Sequence, residues 1–335
     1  MIITVKKAIL HILDAVSEIS LYSDAELDVS NQSICAFIIK HIEKIYDEPG
    51  TREGEFNSAS SFKYHLSEYM NGGTEFYKFS QFVSEKLYEG IAAAEKSVSC
   101  DLIIAECIIQ EKNVMAVLKC DNKMGYTHQA FQEDGTIRNE IINHYAILPS
   151  ASQSISEYAF IDMQDLKVWC KGKKVNIDGE KLDIIADVLL DCVYDISSKE
   201  SFNAMNKIAK KVSEDNGVDS IETSAKIKKF IADTADETEY IEPEEFAEIV
   251  FDTSPAMRKE FIEKTQEANV PEKVKMNDYI TQRIAKNVKI VTDTGIEISF
   301  PAEYYRDEEY FTIINNPDGT ISIQINNIGE IINKI

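Results

Sequence analysis

The sequence lacks the short motifs that mark most catalytic and membrane proteins. It has no phosphate-binding loop of the form G-x-x-x-x-G-K-[ST], no G-x-G-x-x-G and no G-x-S-x-G, and these are the segments expected in common nucleotide-binding and serine-hydrolase sites. No stretch approaches the roughly 20 apolar residues that cross a bilayer. Lys6 and Lys7 interrupt the apolar start, which we interpret as a first strand rather than a signal peptide. We therefore expect no membrane association.

Metal-binding patterns are also missing. None of the six cysteines forms a C-x-x-C pair, and a zinc site needs ligands clustered at short spacing. Most of them lie in apolar runs, where a reduced cysteine behaves as a small hydrophobic residue, so a reducing cytoplasm is the expected location. The five histidines are scattered, without the i, i+4 pair of a helical metal site. The sequence predicts neither a metal nor another cofactor.

Positive charge is scarce. Lys and Arg number 35 against 58 Asp and Glu, a formal net charge of −23. Affinity for DNA normally comes from Lys and Arg that replace counterions condensed on the phosphates. A nucleic-acid-binding function would therefore require a local basic face, a partner protein or a bound cation.

Hydrophobic patterning predicts helices and a central sheet in the first half of the chain. Asp28 and Ser30 are suitable caps for a helix ending near Tyr46, and a second helix is expected from Thr74 to about Lys96. The segment from Pro49 to Ser61 reads as a loop. Two nearly continuous apolar runs predict a hairpin in the middle of a sheet that is covered on both faces. These runs are Leu102–Ile109 and Val114–Cys120, and further strands are expected near 127–131, 137–142, 158–163 and 166–170.

The second half changes character. A helix over Glu180–Tyr194 would close the first domain, and a polar helical segment follows. Its helices are expected at 199–214, 220–236, 243–251 and 255–268, and two hairpins follow at 286–300 and 310–325. The predicted fold is α+β, with a mostly antiparallel N-terminal sheet and helices, a helical middle and a small strand-rich C-terminal part. The corresponding domains would be residues 1–197, 198–270 and 271–335.

The last hairpin carries an alternating apolar face. Ile321, Ile323 and Ile325 alternate with Ser322 and Gln324, and period two places the three isoleucines on one side of a strand. An isolated hairpin is marginal in water, so this face must be covered, either by the helical middle or by a second subunit. We favour a homodimer, because it would also present twice as many lysines to a long duplex.

Several segments together resemble a family of 37-kDa bacterial nucleoid-associated proteins, the NdpA family. The resembling segments are Ile3–Asp14, Val117–Asp121, Gly125–His128, Asn139–Ile142, Ala146–Ser150 and Asp318–Ile323. The resemblance implies a protein located in the nucleoid or bound to DNA. It brings no established catalytic residues, and it does not indicate which face would contact DNA.

Three groups of lysines could contact phosphate. Lys207, Lys210 and Lys211 lie at i, i+3 and i+4, so that one helix face holds all three. The pair of helical groups is favoured because the two could converge in space. The alternative is that each group is part of a solvated surface mixed with acids. The other candidates are Lys226, Lys228 and Lys229 on the next helix and Lys171, Lys173 and Lys174 at a turn.

Two rival functions remain open. The first is an adaptor that reaches the nucleoid by binding a basic protein, for which an acidic surface is suited. The second is a metal-dependent nuclease built on Glu106, Lys119 and Asp121. Val117 stands two places before Lys119, where nucleases of the restriction type carry an acid, and a cation needs more than one nearby oxygen ligand. The preferred hypothesis is therefore a non-enzymatic protein that binds duplex DNA without reading its sequence.

Overall fold

The computed structural model divides the chain into two compact units, Met1–Asp195 and Ile196–Ile335. It describes residues 1–96, 98–133, 135–218, 220–234, 238–276, 280–281, 287–301, 304 and 309–330. Both units combine helices and antiparallel strands, so the expected α+β class is confirmed. None of the helices in these ranges is long and apolar enough to span a bilayer.

An eight-stranded antiparallel sheet forms the centre of the first unit. Its strand order is β12-β3-β9-β8-β5-β4-β1-β2. The strands are β1 (Ile3–Asp14), β2 (Ile19–Leu21), β3 (Arg52–Phe56), β4 (Cys100–Ile109), β5 (Lys112–Asp121), β8 (Glu157–Asp162), β9 (Val168–Lys171) and β12 (Cys192–Tyr194). A separate small hairpin pairs β10 (Lys174–Ile177) with β11 (Glu180–Asp183).

Helices cover both faces of this sheet. Helix α1 (Gln32–Ile45) packs Ile38, Ile42 and Ile45 against one face. The other face is covered by α2 (Ser61–Met70), α3 (Phe76–Ala93) and a π-helical segment (Ile184–Leu190). Burial on both sides explains why β4 and β5 read as continuous apolar runs instead of alternating ones. The prediction of a doubly covered central hairpin is confirmed.

Three elements of the first unit differ from the sequence-based expectations. The predicted loop at 49–61 contains β3, a short internal strand of the sheet. Helix α2 is absent from the sequence-based prediction. Ser60 caps its start, and its buried side carries Phe62 and Leu66, which are four residues apart. The prediction of one helix over Glu180–Tyr194 is wrong in part. This stretch contains β11, the π-helical segment and β12. The helical segment is short because Asp183 caps its start and Asp191 ends it in the left-handed conformation.

A long two-stranded hairpin connects the neighbouring sheet strands β5 and β8. It consists of β6 (Lys123–Glu133) and β7 (Thr136–Ile147), which are 11 and 12 residues long and pair with each other. In the described part of the chain neither strand joins the eight-stranded sheet. We call this hairpin the arm.

The second unit begins with a helical group. Its helices are α4 (Ser198–Asp215), α5 (Ser220–Thr234), α6 (Pro243–Val250) and α7 (Pro255–Glu267), accompanied by the short pair β13 (Tyr240–Ile241) and β14 (Val274–Lys275). An aromatic cluster lies at the centre of this group. Phe246 stacks on Phe261 with ring centroids 5.2 Å apart, and Phe230 meets Phe246 edge-on at 5.6 Å.

Two short hairpins follow in the same unit. They pair β15 (Asn287–Val291) with β16 (Glu297–Pro301) and β17 (Phe311–Asn315) with β18 (Ile321–Ile325). Phe300 and Phe311 stack between them, with centroids 4.0 Å apart. Of the three predicted isoleucines, Ile323 packs against this small cluster, whereas Ile321 and Ile325 stay 59% and 51% exposed. Among the described residues of this chain, the isoleucine face is therefore only partly covered.

Candidate nucleic-acid interface

Helix α4 holds the first lysine group on its outer side. A capping box fixes its start, because the Ser197 hydroxyl accepts from the Glu200 backbone N–H while the Glu200 carboxylate accepts from the Ser197 N–H. Phe202, Met205, Ala209 and Val212 bury one face of the helix. Because side chains repeat every 3.6 residues, the lysines at 207, 210 and 211 then point away from the core, and Lys207 and Lys211 are exposed.

Helix α5 brings a second group next to the first. The buried side of α5 packs in the same hydrophobic core as that of α4, through Ile227, Phe230 and Ile231. Burial lowers the pKa of Lys228, and the positive charge of Lys210 on α4 lowers it further. The two lysines are thus close enough to repel each other across the helix pair. An anion between them would relieve that repulsion.

Four of these lysines have no ion pair in the ranges that the structure describes. No carboxylate there lies within ion-pair distance of Lys207, Lys210, Lys211 or Lys229. We use the name α4–α5 lysine surface for Lys207, Lys210, Lys211, Lys228 and Lys229. The exposed Glu214 lies one turn beyond Lys210, and its charge limits the surface at the C-terminal end of α4.

Lys226 differs from its neighbours on α5. Its Nζ lies 2.8 Å from a carboxylate oxygen of Asp252 and 3.9 Å from one of Glu222. Because the Asp252 carboxylate compensates its charge, Lys226 is a poor candidate for contact with a phosphate.

The lysines at the predicted turn are mostly paired as well. Lys171 contacts both carboxylate oxygens of Glu48 at 2.5 Å. Lys173 lies 2.8 Å from Asp121 and 3.2 Å from Glu157. Only Lys174, an exposed residue of β10, has no ion pair within the described part of the chain. This group therefore does not form a continuous basic patch.

Of the three residues considered for a nuclease site, Lys119 and Asp121 lie together but Glu106 lies apart from them. Glu106 lies opposite Met115 in the β4–β5 ladder, four positions along β5 from Lys119, which corresponds to about 13 Å of strand. The Glu106 carboxylate accepts a hydrogen bond from the Tyr69 hydroxyl at 2.5 Å. Lys119 instead contacts Asp121 at 2.5 Å and Glu157 at 2.8 Å.

The group around Lys119 has the properties of a buried ion-pair network. Burial by itself lowers the pKa of Lys119, but the Glu157 and Asp121 carboxylates outweigh it and hold the pKa above its ordinary value. Lys173 joins the same two carboxylates, so two cations balance two anions. Among the described residues, no group of three or more His, Cys, Asp or Glu side chains is arranged to hold a metal ion.

Glu157 is the member of this network that sequence reasoning missed. It lies on β8, directly opposite Lys119 of β5. The two residues are 38 positions apart in sequence, and no local pattern predicts that pairing.

Comparison with known proteins identifies the family. The profile of the nucleoid-associated protein YejK family, NA37, matches residues 9–333. The chain belongs to this family. The match covers both structural units, so the family resemblance drawn from scattered segments of the sequence is confirmed. No curated protein matches the chain.

Proposed function

We propose that this protein is a non-enzymatic component of the bacterial nucleoid, located in the cytoplasm, that binds duplex DNA directly through its α4–α5 lysine surface. The observation that carries the proposal is the contrast among the nine candidate lysines. Lys171, Lys173 and Lys226 are compensated by carboxylates. Lys210 of α4 and Lys228 of α5 lie close enough for the charge of one to lower the pKa of the other, and a chain of net charge −23 needs such a local concentration of positive charge.

The chemistry of the surface favours contact with phosphate over base reading. Its five named residues are all lysines, and an ammonium group acts as a point charge without the planar fork of arginine. Phosphate contacts position a protein on a duplex but carry no sequence information directly. We therefore propose binding without sequence preference.

The absence of hydrolysis is part of the same proposal. The carboxylates nearest to the considered nuclease lysine, Asp121 and Glu157, are already engaged by Lys119 and Lys173. Glu106 is held elsewhere by Tyr69. A divalent cation would have to displace two ammonium groups before it could bind there.

The salt dependence of duplex binding tests the proposal. The five lysines of one chain can neutralise at most about five phosphates, so each bound chain should contribute no more than about −4.5 to the log–log slope of affinity against salt. For one bound chain, affinity should fall by at most about 500-fold between roughly 50 and 200 mM salt. Fluorescence anisotropy with labelled duplexes of unrelated sequence would measure both the slope and the expected equality among sequences.

The same measurement distinguishes direct binding from an adaptor role. An absence of duplex binding even at low salt would contradict direct binding. It would instead favour a basic protein partner for this acidic chain. A strong preference for one duplex sequence would contradict binding through phosphate alone.

A further inference from the structure

A small cavity lies in the first unit, where the end of α3 meets the β10–β11 hairpin. Its volume is about 70 Å³. Ile91 of α3 and Ile184 of the π-helical segment are buried in its wall, and the partly buried Val175 of β10 joins them. Val98 completes this wall and is 48% exposed, so the cavity reaches the surface there. Because all four side chains are aliphatic, the wall suits an apolar body.

Charged side chains form the floor of the same cavity. They are Lys119, Asp121, Glu157 and Lys173, the buried ion-pair network described above. The Lys119 and Glu157 side chains are only 5% and 3% exposed. The fold has therefore already removed these charges from water, and an ion that enters the cavity meets them at short range and with little screening.

The two lysines of the floor keep hydrogen-bonding capacity. An ammonium group has three N–H donors. Lys119 contacts Asp121 at 2.5 Å and Glu157 at 2.8 Å, and Lys173 contacts the same two carboxylates at 2.8 and 3.2 Å. These contacts use two donors of each lysine and leave the third. An acceptor in the cavity can thus gain charge-assisted hydrogen bonds without breaking the network.

The charge of the lining selects the sign of the ligand. Lys96, an exposed residue just after α3, lines the cavity together with Lys119 and Lys173. Three ammonium groups therefore face the two carboxylates of Asp121 and Glu157, which leaves a local charge of +1. In a chain of net charge −23 such a lining is unusual, and it favours an anion over a cation.

We propose that this cavity binds a short aliphatic carboxylate, with its carboxylate group on the lysines of the floor and its hydrocarbon body on the aliphatic wall. A volume of about 70 Å³ is little more than twice the roughly 30 Å³ that one water occupies in the liquid. The enclosed part of the ligand is therefore a few heavy atoms. Inorganic phosphate lacks an apolar body and would leave the wall unused.

Methyl NMR of the full chain, labelled with ¹³C at the isoleucine and valine methyl groups, tests the proposal with propionate as the probe. Propionate should shift the methyl signals of Ile91, Val98, Val175 and Ile184 saturably. The signal of Ile241, buried in the core of the second unit, should stay in place. Propionamide has the same shape without the charge and should bind at least tenfold more weakly. Propylammonium should give no saturable shift.

Two lysine variants separate the cavity from the overall charge. Lys173→Met removes one ammonium group from the floor and should weaken propionate binding at least tenfold. Lys174→Met is the matched control, because Lys174 is the next residue, is exposed, and is not part of the cavity lining in the described chain. It should leave binding unchanged. Val98→Trp fills the cavity from its exposed side and should abolish the shifts. Thermal unfolding would verify that all three variants are folded.

Three results would overturn the proposal. One is the absence of saturable shifts at propionate concentrations that would fill a millimolar site. Another is equal affinity for propionate and propionamide, which would mean that the floor does not recognise charge. The third is equal weakening by Lys173→Met and Lys174→Met. The outcome is separate from the DNA-binding proposal, because the titration contains no DNA.

Discussion

Changing Lys207, Lys210 and Lys211 together to glutamine is expected to weaken duplex binding by about two to three orders of magnitude at roughly 0.1 M salt. Each phosphate that a lysine neutralises contributes about 0.9 to the log–log salt slope. The loss of three contacts should therefore reduce the magnitude of the log–log salt slope by about 2.7. At roughly 0.1 M salt, this corresponds to a loss of about 2.7 orders of magnitude in affinity. Glutamine has nearly the helix propensity of lysine, so α4 should keep its stability.

A matched variant separates this local effect from the change in net charge. Lys40, Lys78 and Lys181 are exposed residues of the first unit, and changing these three to glutamine removes the same charge elsewhere. Anisotropy titrations of both variants against one duplex make the comparison. Equal weakening in both variants would mean that only the overall charge matters, and it would contradict a defined surface on α4 and α5.

The second large effect concerns stability. Arg52→Met should lower the free energy of unfolding of the first unit by about 3–5 kcal/mol, the usual cost of breaking a buried ion pair from one side. The Arg52 guanidinium pairs with the buried Asp183 carboxylate and stands 4.2 Å from the centre of the Tyr194 ring. Asp183 also caps the π-helical segment, so the pair connects β3 to that segment.

A local probe can follow this unfolding. The only tryptophan of the chain, Trp169, lies opposite Glu53 in the β3–β9 ladder, so its fluorescence in urea reports on the region concerned. Lys167→Met is the control, since Lys167 and Glu53 form an exposed pair 3.4 Å apart whose loss should cost about 0–1 kcal/mol. A similar urea midpoint and slope for both variants would contradict the assigned role of Arg52.

The strand β3 shows why part of the sheet could not be predicted from sequence. Its buried positions are Arg52 and Gly54 rather than aliphatic residues, so the alternation that marks a half-buried strand is missing. Arg52 becomes a core residue only through Asp183, which is 131 positions away in sequence. By contrast, β4 and β5 were predictable because their apolar runs reflect burial on both faces.

The lysine groups show the same limit at the candidate site. Spacing along α4 was sufficient to place Lys207, Lys210 and Lys211 on one side of a helix. Spacing could not show that Lys226 pairs with Asp252 of a later segment, or that Lys173 pairs with Asp121 and Glu157. Which lysines keep their charge available is decided by tertiary contacts.

Site-specific photo-crosslinking to duplex DNA tests the central claim most directly. Asn203 is exposed on α4, one turn before Lys207, so a benzophenone side chain at that position should crosslink to a bound duplex at low salt. The same side chain in place of Lys78, an exposed residue of α3 in the first unit, should give little product. Strong crosslinking from position 78 with none from position 203 would contradict DNA binding through the α4–α5 lysine surface.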